Sequence, residues 1–169
     1  MKGLLLLLSL AVIGGCPVLV TGQEKPSWVT RVERVLQEKE PRWRIAERDV
    51  RSVEGYFHEA IILKSGGGRA DVIITILESP ERATEQFDGE RIAFTNILKK
   101  DAAQSTLEGL GDENFMFTGK GRRKYGNIFF KQGNVIVHVF APAVETAKRF
   151  AKYVVELKKV EWRRGHGRN

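Results

Sequence analysis

Histidine offers the widest choice of chemistry in this sequence, because imidazole can act as an acid, a base or a metal ligand near neutral pH. The chain has three histidines: His58, His138 and His166. Metal sites usually take two ligands at short spacing on one element, and no two of these histidines are that close in sequence. His58 and His138 fall in corresponding places of two predicted hairpins and could meet on one sheet face. They define one functional alternative, an enzyme that uses His58 or His138 with a nearby carboxylate.

The sequence motifs give little support to nucleophilic catalysis or phosphate binding. The chain has no Gly-x-Ser-x-Gly elbow, and its one cysteine, Cys16, precedes the predicted mature domain. Residues 66–69 resemble a phosphate-binding loop in composition, but they join two predicted strands and not a strand and a helix. We therefore predict a hairpin turn there. Asp112 and Glu113 form an acidic pair beside a glycine, which is typical of a turn. We predict no catalytic residue, no metal and no cofactor.

Basic residues form the remaining candidate site. The chain carries 28 Lys and Arg against 21 Asp and Glu, which gives a formal charge of +7. The densest basic cluster is a predicted loop with one aromatic member, and its candidate binding residues are Lys120, Arg122, Arg123, Lys124 and Tyr125. Such a loop can contact an anionic polymer or an anionic lipid surface. It defines a second alternative, a surface-associated binder of such a partner.

The N-terminal segment predicts export. Lys2 is followed by an apolar run, Leu4–Val20, and no further charge occurs before Glu24. A short basic region followed by an apolar region and small residues is typical of a secretory signal. We predict a signal peptide over residues 1–22 and a periplasmic or extracellular location.

Two other outcomes stay open for this segment. Residues 13–16 resemble the lipobox of bacterial lipoproteins, so the signal could end at Gly15 and leave Cys16 as a lipidated N-terminus. The apolar run also reaches the lower limit of length for an uncleaved membrane anchor. Cleavage after Gly22 would discard the cysteine, whereas lipidation would make it the anchor. Apart from the basic-loop alternative, we expect membrane contact only through this segment.

The rest of the chain predicts a single α+β domain over residues 23–161 and a flexible basic tail over residues 162–169. Strands are predicted in two hairpins, residues 56–77 and 127–141, and in shorter runs near residues 43–50 and 115–117. We expect one antiparallel sheet of about five to seven strands with two or three amphipathic helices on one face. Both halves contain strands followed by a helix, which suggests a ββα pseudo-repeat.

Each predicted helix has a recognisable start. Ser27 is the predicted N-cap of a first helix that turns Glu33 outward, and Ser79 followed by Pro80 predicts the start of the second. The third helix follows Pro142. Apolar residues recur at helical spacing in both the second and the third helix, and we predict that they pack on the sheet. In the second helix they are Ala83, Phe87, Phe94, Ile97 and Leu98. In the third helix they are Val144, Ala147, Phe150 or Ala151, Val154 and Leu157.

Three segments carry a family resemblance: Leu110–Phe115, Phe130–Val137 and the alanine-bearing helix from Ala143. Together they resemble a pattern found in small exported bacterial α+β domains. Many of these are uncharacterised, some are lipoproteins, and some are similar to extracellular sensor domains of membrane kinases. The resemblance covers roughly Tyr56–Leu157, and it implies export and an α+β fold. It transfers no catalytic residue, and this chain lacks the paired cysteines common in the sensor group.

The sequence therefore favours an exported cell-envelope domain with a non-enzymatic role in binding a ligand or a protein partner. The partner is an unidentified protein or small molecule, and we do not expect nucleic acid. The basic-loop binder and the histidine enzyme remain the two alternatives.

Overall fold

The computed structural model of the protein describes residues 25–98, 101–120 and 124–166, with the side chains of residues 161–166 excepted. Several predictions therefore lie outside the described residues. They are the signal segment with its two exits, Cys16, and the pair Arg122 and Arg123 of the basic loop.

Seven strands form one antiparallel sheet in the order β1-β2-β3-β7-β6-β5-β4. Their bounds are β1 Arg44–Val53, β2 Tyr56–Ser65, β3 Gly68–Leu77, β4 Ala102–Ser105, β5 Glu113–Gly119, β6 Gly126–Gln132 and β7 Val135–Ala141. The three helices are α1 Ser27–Lys39, α2 Pro80–Leu98 and α3 Val144–His166. The predicted α+β class, strand number and helix number are confirmed. The described part of the chain adds one strand that the sequence did not suggest, the four-residue β4.

One face of the sheet is closed by α1 and α3, which also pack on each other. Strand residues reach this face at every second position, because side chains alternate across a strand. On β2 these positions include Phe57, Ile61 and Leu63, and on β7 they include Val137 and Val139; all five are buried. They join the apolar stripes of α1 and α3 in one large core.

The other face carries α2, so the helices do not share one face as the sequence suggested. Phe87 and Phe94 of α2 pack against the alternate strand positions, including Phe115 and Phe129. The pseudo-repeat is also broken by this placement. Strands β3 and β7 are adjacent and antiparallel, so a repeat would relate them by a two-fold axis perpendicular to the sheet. Such an axis would place α2, which follows β3, and α3, which follows β7, on the same face. They lie on opposite faces. Ile97 is 70% exposed and does not belong to the packed stripe.

The coverage by α2 is partial. This helix packs on β3, β6 and β7. On the same side of the sheet, β1 presents exposed residues such as Arg51 and Val53, and β2 presents half-buried ones such as Tyr56 and Ala60. The α2 face is therefore covered over β5–β7 and partly over β3, and it is open over β1 and β2. The boundary between the covered and the open part forms a cleft.

The helix ends agree in part with the predicted caps. The Ser79 hydroxyl accepts a hydrogen bond from the Arg82 backbone N–H at 3.3 Å, as expected of an N-cap. The N-cap of α1 is Pro26 and not Ser27. The helix α3 runs to His166, so residues 162–166 of the predicted flexible tail are helical. No helix among the described residues combines the length and apolar character needed to cross a bilayer.

Candidate functional site

A cleft of about 250 Å³ opens where α2 stops covering the sheet. The sheet supplies its floor and α2 supplies one wall. Aromatic and polar side chains alternate around it, among them Tyr56, His58, Thr75, Glu90, Phe94 and His138. Both histidines that the sequence singled out line this one cleft.

His58 lies on β2 directly opposite Thr75 of β3, and both side chains face the cleft. The His58 Nδ1 lies 3.1 Å from the Thr75 Oγ1, and its ring stacks parallel to Tyr56 at a centroid distance of 6.2 Å. Burial lowers the pKa of His58, while the carboxylate of Asp49 acts in the opposite direction. The ring is therefore held in place and favours its neutral form, with one edge on the cleft.

His138 is more enclosed. Its ring stacks on Phe129 with a centroid distance of 4.0 Å, and Phe94 approaches from α2 at 5.8 Å. Its Nε2 hydrogen-bonds to the side-chain amide of Asn127. Burial lowers the pKa of His138 to about 4. The ring is a neutral part of the cleft wall at physiological pH.

The two histidines share a cleft but do not form a pair. His58 lies opposite Thr75 and His138 lies opposite Ile73. The two are therefore two strand spacings and two residues apart, a distance of about 12 Å between their backbones. Each has a different hydrogen-bond partner. Across the described ranges, no group of three His, Cys, Asp or Glu side chains is placed to hold a metal ion.

Glu90 is a cleft residue that the sequence reasoning missed. Its Oε1 accepts a hydrogen bond from the Gln86 Nε2 at 2.9 Å, and both residues line the cleft from α2. Burial raises the pKa of the Glu90 carboxyl, and the bond from Gln86 opposes that shift. The sequence did contain a signal, because position 90 falls within the helical stripe formed by Phe87 and Phe94. A carboxylate within an apolar helical stripe is expected to face the protein and not the solvent.

The cleft can therefore hold a compact molecule between aromatic rings and offer it a carboxyl, a hydroxyl and an imidazole. The aromatic rings favour a flat apolar group by burial and stacking. Glu90 favours a donor or a cation, because a carboxylate withdrawn from water gains most from a charged partner.

The predicted basic loop is described only in part. Lys120 and Lys124 are exposed, and the Lys120 backbone N–H donates to the Asp101 carbonyl at 2.9 Å. Tyr125 is half-buried and packs on Phe140 at 5.9 Å, so its ring belongs partly to the core. Binding through this loop stays a prediction.

Asp112 has the structural role that its turn context indicates. Its Oδ2 accepts from the Gly133 backbone N–H, and its own N–H donates to the Lys131 carbonyl, both at 2.7 Å. The neighbouring Gly111 has φ +66°, and a Cβ there would lie 2.5 Å from the Lys131 carbonyl oxygen. The backbone therefore requires glycine at position 111. Asp112 belongs to the turn as predicted, whereas Glu113 is the first residue of β5 and lies opposite Lys131.

A second group of charged residues lies on the closed face, and the sequence analysis missed it. Glu59 of β2 is fully buried, with its Oε1 2.7 Å from the Lys25 Nζ. Glu33 of α1 is also buried, between Lys25 at 3.1 Å and Arg48 at 2.8 Å, and does not point outward as predicted. Burial raises the pKa of Glu59, and Lys25 opposes that shift. This cluster joins α1, β1 and β2, with its two carboxylates buried and its two cations reaching solvent.

No family model and no curated protein sequence matches the chain. Comparison with solved structures gives a match to the extracellular domain of PknH from Mycobacterium tuberculosis, at 15% sequence identity and a TM-score of 0.47. The match covers 62% of this chain and 66% of that one, slightly less than two thirds of the PknH domain. This neighbour is an extracellular domain, and at this level of similarity it transfers no ligand or activity.

Proposed function

We propose that the protein is an exported, non-enzymatic domain that binds a small molecule in the cleft between α2 and the open part of the sheet. The ligand has a flat apolar part and a cationic or hydrogen-bond-donating group. The observation that carries this proposal is the position of Glu90, whose carboxyl stands in an aromatic-walled cleft with Gln86 as its neighbour on the helix. Export is supported by the predicted signal over residues 1–22.

The size of the cleft limits the ligand. Pockets for drug-sized molecules measure about 300–1,000 Å³, and this cleft measures about 250 Å³. A molecule of one or two rings fits that space. The aromatic contacts from Tyr56 and Phe94 supply apolar burial, and Glu90 supplies selection by charge.

An aromatic cation tests this selection directly. We expect benzamidine to bind the chain beginning at Gln23 and to shift the NMR resonances of Thr75, Glu90 and His138. Benzoate, which has the same ring and the opposite charge, should shift them far less. The Glu90→Gln variant should lose about tenfold or more in benzamidine affinity, the scale of one charged hydrogen bond.

A matched control lies on the same helix. Glu85 is an exposed carboxylate of α2 that pairs with Arg82 at 2.8 Å, so Glu85→Gln removes the same charge outside the cleft. That variant should bind benzamidine like the parent chain. Equal losses in Glu85→Gln and Glu90→Gln would show a general charge effect and contradict the cleft assignment.

The pH dependence has a defined sign. Because burial raises the pKa of Glu90, its carboxyl takes up a proton at a higher pH than an exposed glutamate does. Benzamidine binding should therefore weaken as the pH falls toward the acidic range and should lose this dependence in Glu90→Gln. A titration that is identical in both proteins would remove Glu90 from the site.

Activity assays test the non-enzymatic part of the proposal. The enzyme alternative would be favoured if the purified chain turned over an ester, phosphoester or glycoside substrate and if His58→Ala abolished this turnover.

Processing of the N-terminal segment needs a separate measurement. Intact mass and membrane fractionation after expression would distinguish cleavage after Gly22 from lipidation of Cys16 and from an uncleaved anchor.

A further inference from the structure

Three cations stand side by side across neighbouring strands at one end of the open sheet face. Arg44 of β1 lies directly opposite Lys64 of β2, and Lys64 lies directly opposite Arg69 of β3. Residues directly opposite each other in an antiparallel sheet point to the same face, with Cβ atoms about 5 Å apart. Like charges in this arrangement repel, so this cation row works against the stability of the sheet.

The charges around the cation row leave it strongly basic. Arg42 joins the three residues in lining a surface cavity of about 510 Å³. Among the described residues, Arg69 is the one member of the row that forms an ion pair, with Asp71 at 2.8 Å. Glu47 is the other carboxylate close enough to influence Arg69. Four cations thus face two carboxylates.

The glycine turn between β2 and β3 keeps this cavity accessible. Gly66 and Gly67 have φ values of +50° and +84°, and a Cβ at either position would meet no atom within 4 Å. The turn is therefore open on its outer side. Gly68, at the other end of the turn, packs against the protein. A Cβ there would lie 3.4 Å from Pro142 and 3.6 Å from Trp43. Gly66 and Gly67 therefore place no side chains that would block a ligand from reaching the cations.

We propose that the cation row binds a linear oligoanion with successive sulfate, carboxylate or phosphate groups. Strand spacing of about 4.8 Å places the three charges over about 10 Å, which matches a chain of anions better than a single ion. Arginine forms paired hydrogen bonds to all three oxyanions. The ligand offsets the repulsion that the sheet carries without it.

This site is separate from the cleft. Lys64 is six residues beyond His58 on β2, which places the two about 20 Å apart. Failure of one proposal therefore leaves the other standing, because the cleft probe and the oligoanion contact different residues.

Three probes test the site by calorimetry: a heparin hexasaccharide, an inorganic polyphosphate of similar charge, and inorganic phosphate. We expect the two oligoanions to bind and inorganic phosphate to bind at least tenfold more weakly. The tighter oligoanion indicates whether a sulfated glycan or a phosphate polymer is the better model. Equal affinity for inorganic phosphate would overturn the linear arrangement.

Neutralising the row should remove this binding. The triple variant Arg44→Gln, Lys64→Gln and Arg69→Gln should lose at least tenfold in oligoanion affinity, and its dependence on salt should flatten, because counterion release counts the ionic contacts. The control is Arg82→Gln, Arg91→Gln and Lys148→Gln, which removes the same charge from ion pairs on α2 and α3. Equal losses in both triple variants would overturn the proposal.

Thermal unfolding supplies an independent test. Lys64→Thr removes the central charge and introduces a good strand former, so the midpoint should rise by about 1–3 °C while oligoanion binding falls. If Lys64 instead stabilised the fold, Lys64→Thr would lower the unfolding midpoint. A fall in the midpoint together with unchanged binding would overturn the proposal.

Discussion

The closed face of the sheet and the cleft at the edge of the α2 face both contain polar groups removed from water, and they differ in what these groups contact. On the closed face, Glu59 is fully buried and its charge is met by Lys25 at 2.7 Å. On the α2 face, His58 and Glu90 are only half-buried and border a cleft. On the closed face, the charge of Glu59 has an ionic partner within the protein. The cleft presents its polar groups to a space that a ligand can enter.

This difference follows from the helices that cover each face. The closed face has two helices, α1 and α3, which pack on each other as well as on the strands. The α2 face has one helix, and this helix covers only part of the sheet. Polar residues at the edge of that coverage are partly desolvated without being enclosed, which is a common condition for a binding site. The following predictions test whether the contrast holds.

The largest expected effect compares the same substitution on both faces. Phe150→Ala should destabilise the protein by about 4 kcal/mol, because Phe150 is fully buried in the closed core and its removal leaves a cavity. Phe94→Ala should cost about 1 kcal/mol, because Phe94 is half-buried beside a cleft that water already reaches. Urea unfolding of both variants measures the difference. Similar costs would mean that the α2 face is packed as fully as the closed one.

The second effect concerns the internal partner of Glu59. Lys25→Met should cost about 3 kcal/mol, since removing one partner of a buried ion pair leaves the other charge uncompensated. The control Lys152→Met removes an exposed lysine of α3, 4.0 Å from Glu156, and should change stability by under about 1 kcal/mol. The same urea assay separates the two. Equal small losses would show that Glu59 does not depend on Lys25.

The third effect is a pH dependence that originates in the cleft wall. The pKa of His138 is lowered to about 4 in the folded protein, while an unfolded histidine titrates near 6.5. The unfolded chain therefore binds the extra proton first, and the folded state loses about 2–3 kcal/mol as the pH falls from about 6.5 to about 4. His138→Phe should lack this component of acid destabilisation. An unchanged difference between pH 7 and pH 4 in the variant would show that His138 is not held neutral.

The sequence predicted the elements better than their arrangement. The hairpin around Gly66 and the helix start at Ser79 were predictable because glycine turns and N-caps depend on neighbouring residues. The helices were placed on one face, and α2 is in fact on the other. Apolar periodicity shows that a helix has a buried side, but it does not say which face of a sheet that side meets.

The candidate sites show the same limit. The shared face of His58 and His138 was foreseen from their matching positions in two hairpins, whereas the intervening strand β3 was not. Glu33 was predicted to turn outward with the charged face of its helix, and Glu90 was not singled out. For Glu33 the ionic partner Arg48 comes from another element, and for Glu90 the apolar surroundings come from the sheet beneath α2. Neither contact is visible in the residues next to the carboxylate in sequence.

By itself, the sequence determined the α+β class, the turns and most of the helix bounds, because each of these depends on residues close together along the chain. It also predicts an export signal. The tertiary structure alone decided that α2 leaves β1 and β2 open, that Glu90 stands in an aromatic cleft, and that Arg44, Lys64 and Arg69 align across three strands. Those features depend on strand register and on which face each helix covers, and both are fixed by packing between residues far apart in the sequence.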